Sequence, residues 1–234
     1  MSRLGAVAPS LAQSPGDPFL LGLPLGLLLD GRLVVGLQGL CIVERAYQQA
    51  RDFAKERKQG RGADGDTAAI IEHADVRRML ATMKADIFTA RAIALDCAIA
   101  IDMARATGEA EWEARAAFLT PIAKAFGTDV GCEVSSTGVQ VHGGMGFVEE
   151  TGAAQYYRDV RVTAIYEGTN GIQAMDMVCR KLMDGGEAAG RLLDEIEADA
   201  EAAKAALPEL AEAVWQAAET LRETTEWLVA QPMA

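Results

Sequence analysis

The sequence predicts an all-α protein, an up-and-down four-helix bundle with a C-terminal helical extension. Apolar residues recur at spacings of three and four over long stretches, and almost no segment alternates with the period of two that a half-buried strand requires. No unit repeats at intervals of about 20–50 residues, which disfavours a solenoid of stacked helical units. The 234-residue chain is 50% hydrophobic and 24% charged, enough to bury a core and far from the composition of a disordered segment.

Residues 1–30 read as a flexible segment outside the bundle. They are rich in Pro, Ser, Gly and Ala up to Pro18. The apolar run at 19–29 is broken by Pro24 and falls short of the roughly 20 residues of a membrane span. Arg3 is the lone early cation and no small-residue cleavage site follows, so the run makes a poor signal peptide and a cytoplasmic location is expected.

The bundle is expected over 31–184. From Arg32, the residues Leu33, Leu37, Leu40, Val43, Tyr47, Ala50 and Phe53 share one helix face, which Gly60, Gly62 and Gly65 end. A second stripe runs Val76, Leu80, Met83, Ile87, Ala90, Ala94, Cys97, Ile101, Ala104, with charged residues off it; such a face needs partner helices. A third helix is predicted over 111–136, restarting or kinking at Thr120-Pro121 and closing at Gly138, with Ser135 and Ser136 read as end caps. A glycine-dense loop follows, then a short helical stretch at 151–159, a short β-like segment at 160–165 and a helix at 171–183. The extension, 185–234, is rich in Ala, Glu and Leu, and Pro208 divides it into two helices.

Charge and composition exclude several functions. Thirty-four acidic against 22 basic residues give a net charge of −12, which opposes binding to a phosphate backbone, so no nucleic-acid partner is expected. The four cysteines are far apart, without a C-x-x-C, and there are two histidines, so neither a disulfide scaffold nor a metal site is expected. The sequence contains no G-x-S-x-G and no phosphate-loop lysine motif, and nothing in it reads as the βαβ unit of a dinucleotide-binding fold.

Three local features remain. Glu56-Arg57-Lys58-Gln59-Gly60-Arg61 places three cations after a helix, where they either complement its dipole or bind an anion through the guanidinium forks. Gln140-Val141-His142-Gly143-Gly144-Met145-Gly146-Phe147 is either a tight turn or a loop whose backbone N–H groups meet a nucleotide; His142 beside glycines reads as a packing or hydrogen-bonding residue. In Ile165-Tyr166-Glu167-Gly168-Thr169-Asn170-Gly171, a glutamate before a helix start is either stabilised by the dipole or a base held on a turn.

Together and in this order, these segments resemble the C-terminal α-helical domain of the acyl-CoA dehydrogenases. ERKQGR is similar to the family's E-R-x-x-F-G, QVHGGMGF to its Q-x-x-G-G-x-G-F, and YYRDVRVTAIYEGTNGIQ to its R-D-x(5–6)-I-Y-E-G-T-x-x-I-Q; TPIAKAF agrees too. The likeness covers about 31–182, and IEHADVRRML with the acidic tail most resembles the larger bacterial branch that includes the 3-methylmercaptopropionyl-CoA dehydrogenases.

The resemblance implies FAD as cofactor and an acyl-CoA as substrate. It implies that Glu167 is the base removing the α-proton, that Arg57 faces the FAD pyrophosphate, and that Gln140, Gly143 and Gly144 sit at the adenine half, typically of a neighbouring subunit's FAD. Thr169 would join the flavin site, and Arg32 and Gly168 would lie at the substrate. A homodimer or homotetramer and an electron-transfer flavoprotein as oxidant are implied as well. Two departures stand out: Gln59-Gly60 replaces an aromatic flavin contact, and Ala74 stands where a proline often follows the histidine. Members of the family carry an N-terminal helical domain and a middle β-domain before the matching segment, and residues 1–30 are too few to encode either. Two readings follow, a catalytic-base domain of an acyl-CoA dehydrogenase and a non-catalytic helical oligomerisation module with a partial adenine site.

Overall fold

The computed structural model describes residues 25–63 and 65–231, so the segment at 1–24 lies outside the described residues. Three long helices dominate: α1 (Leu25–Glu56), α2 (Ala74–Thr107) and α3 (Ala110–His142), each about 50 Å long at 1.5 Å per residue. At one end Leu33 packs with Ile101, Ala116, Leu119 and Ala123; towards the other, Ala50 and Ala54 meet Met79, Leu80, Met83 and Val141. Helices α1 and α3 therefore run parallel, with α2 antiparallel between them in sequence. After the one-turn α4 (Gly144–Phe147), the fourth side is α5 (Ala153–Arg161), packed on α3 and α1. The all-α bundle is as the apolar spacing predicts.

Small residues set the approach of α1 to α3. A Cβ at Gly36 would stand 2.7 Å from the carbonyl oxygen of Ala123, and one at Gly39 would stand 2.8 Å from that of Gly127. Across the same seam, a Cβ at Gly131 would lie 2.6 Å from Val160 Cγ2 on α5. Backbone lies against backbone here, and no larger residue fits without parting the helices.

The extension consists of two helices divided at Pro208 as predicted, α7 (Glu187–Ala203) and α8 (Pro208–Val229), with the proline in the first turn of α8. Phe118 of α3 is buried with Leu182, Ala188 and Ala189, which seats α7 on the bundle. Arg115 joins α3 to Asp96 of α2 and Glu195 of α7, and Arg222 of α8 reaches Asp194 and Glu197 of α7.

Several local expectations are corrected. Helix α1 begins at Leu25, inside the segment read as flexible; a helix of 32 residues absorbs the roughly 1 kcal/mol that the glycine at 31 costs. Helix α3 runs through Pro121 and past Gly138 to His142. Ser135 is consequently a buried mid-helix residue whose hydroxyl has no partner, not a cap. Residues 160–165 form no strand: α5 continues into a 3₁₀ turn at Val162–Ala164, and Val160 is buried on the helical face. The stretch read as one helix at 171–183 is α6 (Asn170–Asp176) followed by a π-turn at Met177–Lys181. Between α1 and α2 the chain forms an antiparallel hairpin, β1 (Lys58–Arg61) and β2 (Thr67–Ala69). Its glycines were legible as a helix break, but with only four and three residues the strands are too short to show alternation.

Candidate functional site: a carboxylate turn and a distant cationic cavity

The predicted site residues fall into two groups at opposite ends of α1. The first is the turn between α5 and α6. Glu167 has φ +54°, making it the one non-glycine residue with positive φ among the described residues, and Gly168 follows at +84°. Two consecutive left-handed residues reverse the chain sharply, and holding a glutamate there costs about 1–3 kcal/mol. The turn is braced from α6. The buried amide of Gln173 donates to the carbonyls of Glu167 (3.2 Å) and Gly168 (3.1 Å), and a Cβ at Gly168 would stand 2.8 Å from that nitrogen. Thr169 caps α6, its hydroxyl accepting the Ile172 N–H.

The Glu167 side chain is exposed, and among the described residues its carboxylate has no hydrogen-bond or ion-pair partner. One carboxylate oxygen lies 3.9 Å from where a Cβ of Gly31 would be, so the group stands over the N-terminal part of α1. No hydrogen bond within the described chain engages the Glu167 N–H. Tyr166 is tied to α1 by its hydroxyl, which donates to Gln38. Arg32, next to Gly31, donates to Asp176 at the end of α6 over 2.6 Å, and Arg180 donates to the other oxygen of the same carboxylate. Burial pushes the Asp176 carboxyl up, but the hydrogen bonds from Arg180 and Arg32 outweigh it and hold the group below the usual carboxylate range. Arg32 thus lies near the turn, with its guanidinium committed to a protein carboxylate.

Sequence reasoning missed the residues beneath this turn. Asn170 is held on α3 by Lys124, Thr128, Asp129 and the carbonyl of Ala125. The signal available was a lysine inside the apolar run TPIAKAF, where a charge on a core face needs a partner.

The second group lies beyond the other end of α1. Arg57 and Gln59 from the hairpin, Phe53 and Ile70, and Val141, His142, Gly143, Gly144 and Met145 line a cavity of about 330 Å³. Gly143 caps α3 at φ +61°, ψ −140°, a conformation open to glycine, and its N–H donates to the Gln140 carbonyl. Added Cβ atoms at Gly143 and Gly144 would meet nothing within 4 Å, so both backbones face open space. Gln140 itself is exposed on the last turn of α3 and is not among the lining residues. His142 stacks on Phe53 at 4.4 Å and bonds the Gly138 carbonyl through Nδ1, while Nε2 is buried without a partner. This donor set fits a dinucleotide: an exposed guanidinium for a diphosphate, glycine backbone at close approach, and apolar walls with one unpaired ring nitrogen for a planar base. Gly31 and Arg57 are 26 residues apart on or just beyond one helix, about 39 Å. One dinucleotide cannot bridge the two groups of a single chain.

The all-α bundle thus carries a carboxylate on a left-handed turn near one end and a cationic, glycine-walled cavity near the other. The family model for the acyl-CoA dehydrogenase C-terminal domain matches residues 22–183, and the chain belongs to that family. The 3-methylmercaptopropionyl-CoA dehydrogenase of Ruegeria pomeroyi is 48% identical over 179 residues, 74% of this chain and 30% of the relative. A butyryl-CoA dehydrogenase of Syntrophomonas wolfei is 35% identical over 175 residues, 71% of this chain and 29% of the relative. The structure of Caenorhabditis elegans ACDH-11 in complex with C11-CoA superimposes with a TM-score of 0.73 at 22% identity, covering 84% of this chain and 32% of that one, and shares its fold. The chain spans about three tenths of the length of the curated relatives it matches.

Proposed function

We propose that this chain is the catalytic-base domain of an FAD-dependent acyl-CoA dehydrogenase, with Glu167 as the base. The observation that carries the reading is an unpartnered, exposed carboxylate held on a left-handed turn within IYEGTNG, inside the segment that matches the family. Glu167 takes the α-proton of an acyl-CoA thioester, breaking the Cα–H bond as the Cα–Cβ double bond forms. Its own N–H, free in the described chain, donates to the thioester oxygen as negative charge develops there. Gly168 leaves room beside the carboxylate for the acyl chain, and Arg32 holds the nearby end of α6 through Asp176. FAD, when bound, supplies the acceptor for the hydride that leaves Cβ.

Arg57 faces the FAD diphosphate, with Gly143 and Gly144 at the adenine half and Gln140 on the rim beside them. Thr169 borders the flavin end from the turn after the base. Because the two groups lie too far apart to share a dinucleotide, the cationic cavity serves the FAD of a second subunit. That supports a homodimer or homotetramer. An electron-transfer flavoprotein then reoxidises the flavin, and the setting is cytoplasmic fatty-acid metabolism.

The test uses the chain alone and the chain mixed with a polypeptide carrying the preceding domains of a close relative. Visible flavin absorbance, bleached anaerobically by an acyl-CoA, is expected in the mixture, and Glu167→Gln abolishes the bleaching while keeping the shape of the side chain. Bleaching that survives Glu167→Gln removes the base assignment. A chain that takes up no flavin in either preparation supports the alternative, a non-catalytic helical oligomerisation module.

A further inference from the structure

Lys124 is the largest fully buried side chain among the described residues, at 0% exposure on the core face of α3. An ammonium there carries a heavy desolvation penalty, and a methionine of similar length would fill the space without it. Among the described residues no carboxylate forms an ion pair with it; its hydrogen bond goes to the side-chain oxygen of Asn170 at 2.8 Å. The other half of that amide donates to Asp129 at 2.7 Å, with Thr128 Oγ1 at 3.0 Å. Asn170 therefore bridges a cation and a carboxylate: Lys124 donates into its oxygen while its nitrogen donates to Asp129. Each bond polarises the next in the same sense, and the two charges leave the amide only one orientation.

Asn170 opens α6 three residues after Glu167, and the turn between them is braced by Gln173. Fixing Asn170 on α3 thus fixes one end of a strained loop whose other end, Tyr166, is tied to Gln38 of α1. We infer that Lys124 is a positioning residue that holds the Glu167 turn on α3 through the Asn170 amide and so sets where the carboxylate stands. The inference rests on the reading of Glu167 as the base, but its test does not involve that chemistry. Burial and three charged groups set the balance around the ammonium. Burial lowers its pKa; Asp129 on α3 and Glu167 on the turn oppose that, and Arg32 on α1 reinforces it.

The experiment is amide hydrogen exchange by NMR on the full chain and on the Lys124→Met, Asn170→Ala and doubly substituted forms. Exchange at Tyr166, Ile172 and Gln173, whose N–H groups are hydrogen-bonded around the turn, is expected to rise about tenfold in each single variant and no further in the double. Val134 and Met83, in the core of α3 and α2, keep their protection. The strong intraresidue HN–Hα contact that reports the positive φ of Glu167 weakens in step. Unchanged exchange at the turn in Lys124→Met, or an equal rise at Val134 and Met83, overturns the inference. Should Lys124→Met fail to fold, Asn170→Ala carries the same expectation from the turn side, and unchanged exchange there overturns it. Loss of the base assignment would show in flavin bleaching and leave these rates untouched.

Discussion

The guanidinium of Arg32 and the carboxylate of Asp176 meet at 2.6 Å across 144 residues of sequence, and the acid is almost wholly buried. This contact joins the start of α1 to the end of α6 and closes the bundle behind the Glu167 turn. Replacing Asp176 with Asn leaves Arg32 short of a counter-charge, and a loss of about 2 kcal/mol is expected in urea unfolding. The pH dependence has a definite sign. The folded-state pKa of Asp176 is depressed, so its contribution is complete above the unfolded value of about 3.9 and is lost as pH falls through the lower folded one. Between pH 5 and about pH 2, the urea midpoint of the parent therefore falls more steeply than that of Asp176→Asn.

One substitution at two glycines has opposite outcomes. Gly36→Ala drives a methyl to 2.7 Å from the Ala123 carbonyl and is expected to cost about 2–3 kcal/mol, because parting α1 from α3 disturbs both core clusters. Gly190→Ala, in α7 with nothing within 4 Å of the new methyl, gains up to about 1 kcal/mol from helix propensity alone. Thermal unfolding of the two variants checks both signs.

Glu167 stands in a conformation that favours glycine. Glu167→Gly is expected to raise stability by about 1 kcal/mol, seen as a higher unfolding midpoint, while removing the carboxylate proposed as the base. A variant that melts below the parent would show that the turn carries no strain.

The thiols differ by environment. Cys41 and Cys179 are exposed and are expected to react first with a thiol reagent in the folded protein. Burial pushes the Cys132 thiol up, which slows it. Cys97 is wholly buried; burial raises its pKa, with Asp96 adding to that against a hydrogen bond with Thr120, and it reacts only on unfolding. Timed labelling with mass spectrometry checks the order.

Much of this molecule was legible before any coordinates. The stripes of Leu33 to Phe53 and Val76 to Ala104 report local geometry, since a 3.6-residue period writes a buried face into the sequence whatever that face meets. Proline punctuation at Pro208 begins a helix through backbone chemistry that needs no partner. The segments around Arg57, Gly143 and Glu167 carried the family likeness in the same way, as contiguous residues. Where punctuation misled, a long-range contact had won: α3 passes through Pro121 and Gly138 because both lie inside its packed core, and Val160 stays helical because it fills the notch beside Gly131.

What only the tertiary structure decided is which residues stand together. Periodicity says that a face is buried but not against what, so it could not bring Lys124 under Asn170 or Asp176 against Arg32, 46 and 144 residues away. Nor could it separate the two groups of site residues, which the length of α1 holds at opposite ends of the bundle. Those relationships depend on how three rigid rods pack. That packing is set by volumes and backbone clearances summed over the whole core, and no local window of sequence contains them.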